Sequence, residues 1–395
     1  MQFVTEQDKL TAACDLLAEA EYITIDTEFM RERTYWPKLC LVQVARQAGP
    51  WGEEAVFLID PLVGLDLAPL FDLMANEKVL KVFHAARQDI EIFVNLTGAV
   101  PKPIFDTQVA AMVCGYGDQA GYETLVKKIA KAQLDKSSRF TDWSRRPLSD
   151  KQLRYAAGDV THLRIVYESL AKRLQSSGRE GWVSAEMEIL NDRGTYIVEP
   201  SEAWRRVKTR SSEPRFLAMV RELAAWREEE AQSRDVPRGR IIKDDALLEI
   251  AANRPETRDQ LFALRSLQRE GRKAETSDAI LATVERGRTA PPIHIDKPRQ
   301  TRSPQPGAQA LADLLKVLLK AKADELKVAQ RLIASTAELE LLAQGELDGL
   351  KALEGWRYEA FGETALRLIR GEIALAGGRR GVETIEIKAS EPALD

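Results

Sequence analysis

The sequence is short of the features that cross-link a chain, seat it in a membrane or hold a nucleotide. Only three cysteines occur among 395 residues, Cys14, Cys40 and Cys114, and none stands in C-x-x-C spacing. That argues against a structural zinc site and fits a reducing cytosol, so a cytoplasmic location is expected. No uninterrupted apolar run is long enough to cross a bilayer. The start, Met1-Gln-Phe-Val-Thr-Glu6, lacks the basic-then-apolar form of a signal peptide. There is no G-x-x-x-x-G-K-[ST] loop and no G-x-G-x-x-G after a strand, so neither nucleotide hydrolysis nor dinucleotide binding is indicated and no nucleotide cofactor is expected. A large excess of one charge is missing too. With 57 Lys and Arg against 61 Asp and Glu, the net charge of -4 makes the whole molecule no magnet for nucleic acid.

What is present is an ordinary globular composition, 44% hydrophobic and 30% charged, in a length that suits two or three domains. The charge is uneven. Ser201 to Arg302 carries 22 Lys and Arg against 17 Asp and Glu, a mildly basic middle between acidic ends that hints at a module facing nucleic acid. Along the chain, a helix over Thr5–Ala20 leads into a strand at Tyr22–Phe29. Strands at Leu39–Ala45 and Ala55–Asp60 follow, joined by the short connections of antiparallel neighbours. Helix and strand then alternate: Leu67–Ala75, Val79–Phe83, His84–Leu96, Ile104–Phe105, Gln108–Cys114, Glu123–Lys131. Ser149 and Gln152 form a capping box that opens a long helix through Arg154–Arg173. Near Glu199 the pattern turns all-helical, with helices at Pro214–Arg234, Lys243–Asn253, Thr257–Ser266 and Ser277–Arg286. A proline-rich linker from Pro291 to Gly307 precedes a second helical set at Ala308–Leu319, Ala323–Ile333, Thr336–Gln344 and Gly362–Ala376, and Ile385–Asp395 reads as a frayed end. The order of elements predicts an α/β fold with a mixed sheet followed by two all-α helical modules.

Chemistry gathers at a few carboxylates. Asp26 and Glu28 lie two apart on one strand, so both point to the same face. Two carboxylates held side by side repel unless a cation sits between them, and a divalent metal with oxygen ligands is the obvious one. Solvation at a strand end is the plainer explanation for an isolated D-x-E. Asp89 falls in the first turn of a helix, where the helix dipole favours negative charge. Tyr155 and Asp159 are four apart on the long helix and share a face. Each alone is unremarkable.

Together they are not. Asp26-Thr-Glu28, His84-Ala-Ala-Arg-Gln-Asp89 and Tyr155-Ala-Ala-Gly-Asp159 resemble, in order and spacing, the three motifs of the DEDD 3′-to-5′ exonucleases in their tyrosine subclass. The stretches Asp26–Pro37, Leu39–Gln43 and Arg139–Leu148 resemble the ribonuclease D family in particular, and Ile242, Asp245, Leu247, Ile250 and Pro255 resemble the HRDC domain that this family carries. The resemblance implies a ribonuclease H-like exonuclease domain at 1–200, an HRDC domain at 201–295 and a degenerate HRDC-like domain at 306–385. It implies two divalent ions, Mg²⁺ or Mn²⁺, with Asp26 bridging them, Glu28 and Asp159 completing the water-activating site and Asp89 serving the second ion. Tyr155 is then expected to orient the attacking water, which leaves His84 a supporting rather than a basic role. Substrate contacts are expected from Thr27, Phe29, Arg31, Tyr35, His84 and Gln88; Arg and aromatic residues interleaved at Arg31–Trp36 suit a single-stranded 3′ end, although a plain loop with a partly buried Tyr35-Trp36 reads almost as well. Arg205–Arg210 and Arg238–Lys243 read either as RNA backbone contacts or as a solvated face. The expected activity is a metal-dependent exoribonuclease releasing 5′-mononucleotides from tRNA precursors with 3′ extensions and other structured RNA, acting as a monomer. A DNA exonuclease of the same subclass and an inactive binding protein are the alternatives; the intact acidic quartet argues against the latter.

Overall fold

The computed structural model describes residues 1–46, 55–294, 306–379 and 381–387. Its centre is a six-stranded mixed sheet of β1 (Gln2–Val4), β2 (Tyr22–Met30), β3 (Lys38–Arg46), β4 (Val56–Ile59), β5 (Leu80–Phe83) and β6 (Ile104–Asp106), in the spatial order β1-β4-β3-β2-β5-β6. β2 and β3 pair antiparallel, as do β3 and β4, matching the short connections, whereas β5 joins β2 in parallel through an intervening helix. The edge strand β1 is three residues long and lies parallel to β4, too short to show in the sequence. Helices α1 (Gln7–Ala18), α2 (Ala68–Ala75), α3 (Arg87–Thr97), α4 (Thr107–Val113) and α5 (Tyr122–Leu125) follow the strands as the periodicity predicts.

The long helix α6 (Asp150–Ser177) packs across β2, β3 and β4. Its start is the expected capping box: the Ser149 hydroxyl accepts the Gln152 N–H, and Gln152 returns a carbonyl to the Ser149 N–H at 3.1 Å. Its end is Gly178, whose φ of 65° is a left-handed turn that costs glycine little. α7 (Glu180–Asn191) then leads out of the sheet module.

The middle of the chain is a helical module of α8 (Pro214–Ser233), α9 (Arg238–Ile241), α10 (Asp244–Asn253), α11 (Arg258–Phe262) and α12 (Ala274–Thr289). It has its own apolar core, including Leu217, Val220, Leu247, Ile250, Ile280 and Val284. Of the proline-rich linker, residues 295–305 lie outside the described residues.

The last part departs from its reading as purely helical. α13 runs unbroken over Ala308–Leu326, because Lys320-Ala-Lys322 contains no breaker, and stops at Lys327 with φ 53°. α14 (Gln330–Ile333), α15 (Thr336–Ala343), α16 (Gly355–Arg357) and α17 (Glu363–Ile369) follow. The helix expected over Gly362–Ala376 ends at Ile369, and Ile373–Gly378 is instead strand β7, paired antiparallel with β8 (Gly381–Glu386). A short apolar run such as Ile373-Ala-Leu-Ala376 fits helix or strand by periodicity alone, and the partner strand decides it. Residues 388–395 of the expected frayed end lie outside the described residues. This part also shares one continuous core with the sheet module: Leu315, Phe361 and Trp356 belong to the same cluster as Val4, Ile90 and Met112. Among the described residues no helix is long and apolar enough to cross a membrane.

Candidate active site

The site is set by how β2 lies against α6. Every second residue of β2 faces the helix. The Tyr22 hydroxyl reaches Glu168, the Thr24 hydroxyl donates to the Val160 carbonyl at 2.9 Å, and Asp26 and Glu28 come next along the same face. Two residues of strand advance about 6.6 Å and four of helix about 6 Å, so a D-x-E on one matches a Y-x-x-x-D on the other. The result is that ligand oxygens of Asp26, Glu28 and Asp159 lie within 4.8 Å of one another. Thr24, bonded to the helix backbone, is fully buried.

Asp89 arrives differently. It sits in the first turn of α3, stands apart from that trio and is held from the opposite face of β2, where the Thr27 hydroxyl bonds its carboxylate. The turn before α3 is strained, with Ala85 at φ 57°. Asp106 holds it there: its buried carboxylate accepts the N–H groups of Ala85 and Ala86, both at 2.9 Å, and caps α4 through Gln108 at 2.8 Å. An acid between a strand and a helix was the available signal for this capping role.

Burial and mutual repulsion act together on these acids. Burial, then the charge of Asp159, raises Asp26 well above the usual carboxylate range. Glu28 is raised by burial and by Asp26, Asp159 and Asp89 in turn. Burial pushes Asp159 up to about 7, against a hydrogen bond from Tyr155 and the charge of Arg139. Asp89 moves up by burial and the nearby Asp26. Convergent oxygen donors that cannot all ionise alone are a donor set suited to a hard divalent cation, so Asp26, Glu28 and Asp159, with Asp89 beside them, fit the metals expected.

Beside the acids lies a cleft of about 290 Å³ lined by Asp26, His84, Tyr122, Arg139, Tyr155 and Asp159. Tyr122 was not singled out by the sequence, and Arg139 entered there only as the first residue of the Arg139–Leu148 stretch. Tyr122 donates its hydroxyl to the carbonyls of Gly158 and Asp159, at 3.0 and 2.8 Å, and so anchors the helix turn that presents Asp159. Arg139 begins the Arg139–Leu148 strap, whose far end is pinned by Arg146. That guanidinium grips buried Asp60 with two bonds of 2.5 and 2.7 Å and also donates to the Cys40 carbonyl at 2.7 Å. Within the strap Trp143 packs on the Tyr155 ring, centroids 6.0 Å apart.

The expected substrate contacts separate. His84 lines the cleft; since Thr107 donates its hydroxyl to Phe83, it must accept from His84 Nδ1 at 3.0 Å, leaving Nε2 as a buried acceptor without a partner among the described residues. Burial lowers His84 to about 4, so the ring is neutral. Thr27 is engaged with Asp89, Phe29 packs half-buried on the core, and Gln88 is exposed beside Asp89. Arg31 forms a bidentate pair with Glu91 at 2.9 and 2.6 Å. Tyr35 is not brought to the carboxylates. Its hydroxyl donates to Glu228 at 2.5 Å and accepts from Gln232, because the loop after β2 docks on the helical module.

A family model described as 3'-5' exonuclease matches residues 1–175, and an HRDC domain model matches 216–284. Ribonuclease D of Jannaschia sp. (strain CCS1) is 52% identical over 97% of this chain and 99% of its own length. The chain belongs to the ribonuclease D family. It is an enzyme, a 3′-to-5′ exoribonuclease of the ribonuclease D type. Ribonuclease D of Granulibacter bethesdensis is 48% identical over 98% of the chain and 95% of its own length. Among solved structures, Escherichia coli RNase D, described as an exoribonuclease involved in structured RNA processing, superimposes with a TM-score of 0.78 at 29% identity, covering 94% of this chain and 98% of that one.

Proposed function

We propose that this member of the family trims the 3′ ends of tRNA precursors and other structured RNA, releasing 5′-mononucleotides with the help of two divalent ions, Mg²⁺ or Mn²⁺. The observation that carries the reading is the meeting of Asp26, Glu28 and Asp159 oxygens within 4.8 Å in a chain of this family. Asp26, Glu28, Asp89 and Asp159 would hold the ions, which when bound relieve charge on the phosphate, acidify the attacking water and ease departure of the ribose 3′-oxygen. Tyr155, raised by burial and by Asp159 and Glu28, keeps its proton and acts as a hydrogen-bonding guide for that water, not as a base. His84 is neutral and offers an acceptor from beneath the cleft, while Arg139 supplies the cleft's positive charge. Thr27 acts through Asp89, and Phe29 and Gln88 flank the 3′ terminal nucleoside.

The test is purified protein with a 3′-extended tRNA and a DNA strand of matched sequence, with and without Mg²⁺, beside Asp26→Asn. Mononucleotides should leave the RNA only when Mg²⁺ is present. Asp26→Asn should stay folded and lose more than about 100-fold in turnover, since even a residue that only supports a metal ligand is worth 10–100-fold. Near-normal turnover of that variant at saturating Mg²⁺ would remove the metal assignment, and equal attack on DNA would move the substrate class.

A further inference from the structure

We propose that the cleft between the catalytic module and the α8–α12 module is a site for single-stranded RNA backbone, holding the nucleotides just 5′ of the reacting end. It rests on the exoribonuclease reading above and assigns to that enzyme a second, composite binding site. The cleft encloses about 720 Å³. Arg31, Arg87 and Trp36 line it from the catalytic side, Arg206 and Arg238 from the helical side.

The charge in it is lopsided and available. Four guanidiniums face two carboxylates: Glu91 pairs with Arg31, and buried Glu228 takes the Tyr35 hydroxyl on one oxygen while the other has no hydrogen-bond partner among the described residues. Among the described residues Arg87 donates only a long bond, 3.5 Å, to the Thr195 carbonyl. Arg206 and Arg238 have no carboxylate within ion-pair distance among the described residues, and Arg206 lies close enough to Tyr35 to act on its hydroxyl. Arg87 and Arg206 are exposed and Arg238 is half-buried, so solvated guanidiniums converge from two modules on one cleft, where an anion can take the place of water. Guanidinium forks match phosphate oxygens geometrically, which lysines do not.

The cleft also has a stacking surface that is fixed in place. Trp36 is 39% exposed, set edge-on against Tyr35 with centroids 4.7 Å apart. The N–H groups of Tyr35 and Trp36 both donate to Asp235 of the helical module at 3.0 Å, and the Tyr35 hydroxyl is held by Glu228 and Gln232. An exposed indole on a loop pinned from the opposite side is a rigid platform on which a base can stack. The cleft shares no lining residue with the one beside the acids but is close to them along the chain. Arg87 is two residues from Asp89 and Arg31 three from Glu28, a reach of at most about 10 Å of chain.

The experiment uses full-length protein carrying Asp26→Asn and a single-stranded RNA of about 12 nucleotides, within the usual range of single-strand site sizes. Affinity is measured against salt concentration. Adding Arg206→Ala and Arg238→Ala should weaken binding at least tenfold near 0.1 M salt and flatten the log–log salt slope by about 1.4, the release expected for two phosphate contacts on a single strand. Arg206→Lys with Arg238→Lys keeps both charges and should restore most of the slope, which a merely structural role would not require. Arg265→Ala with Arg269→Ala removes two charges of the same module outside the cleft and should leave the slope unchanged. Equal slopes for the cleft variant and its parent, or equal losses in the two alanine pairs, would overturn the proposal. The binding comparison needs no turnover, so failure of the wild type to hydrolyse RNA counts against the functional reading alone.

Discussion

A carboxylate packed among carboxylates can avoid repulsion by taking up a proton or by sharing a cation, and Asp26, Glu28, Asp89 and Asp159 have both routes. All four are raised above their ordinary values, Asp159 to about 7. In the unfolded chain they titrate near 4, so between those pH values the metal-free folded state binds more protons than the unfolded one. Their contribution to stability is therefore full below about pH 4 and is lost as pH rises through the folded values. In EDTA, the Tm should fall by roughly 5 °C between pH 5 and pH 8. Mg²⁺ or Mn²⁺ should raise Tm strongly at pH 8 and little at pH 5, because at the lower pH the ion must displace protons. A Tm independent of pH, or an ion effect equal at both, would show that the acids do not form a coupled, metal-seeking cluster.

At the scale of elements, the match of a two-residue strand step to a four-residue helix step brings the acids together, and the Arg139–Leu148 strap closes that arrangement. The strap has no regular structure to hold it; Arg146 does so through Asp60 and the Cys40 carbonyl. Arg146→Ala leaves a buried carboxylate without its cation and should cost roughly 3 kcal/mol of stability. It should also lower turnover, because Trp143 and Arg139 no longer brace Tyr155 and the cleft. Arg146→Lys keeps the charge but loses the forked contact and should fall between the two. Urea unfolding and turnover on RNA, measured on both variants, check this; an alanine variant with parental stability and rate would mean the strap is held by something else. The strap's motif was legible in the sequence, whereas its anchor was not, since Asp60 lies 86 residues away.

At the scale of the whole molecule, the modules are not three beads. The α8–α12 module has its own core, but the C-terminal helices complete the core of the catalytic module. Trp356 stacks on Trp182 of α7 at 4.3 Å and 13°, Arg357 pairs with Glu186, and the Ala329 N–H donates to the Met112 carbonyl at 3.0 Å. Trp356→Ala should therefore destabilise the catalytic sheet as well as its own module, by about 3 kcal/mol, as large aromatic truncations in cores do. Hydrogen exchange at β2 and β5 should speed up together with exchange in α13. Loss of protection confined to residues 308–386 would show instead that the two parts unfold independently.

The sequence by itself determined the metal-seeking chemistry and most of the elements. Period-two and period-3.6 patterns, the Ser149–Gln152 cap and the short steps from Asp26 to Glu28 and from Tyr155 to Asp159 are local, and local geometry follows from local residue order, whereas the meeting of the two steps is tertiary. Long-range packing is not local, and only the tertiary structure decided what depends on it. Tyr35 reads almost equally as a clamp for a nucleic-acid end or as part of a plain, partly buried loop until the helical module's Glu228, 193 residues later, takes its hydroxyl. Ile373–Ala376 reads as helix until a facing strand satisfies its backbone. Asp106, Tyr122 and Arg146 are ordinary residues in the sequence and become supports of the site only because their polar groups, buried by the fold, had to find partners there.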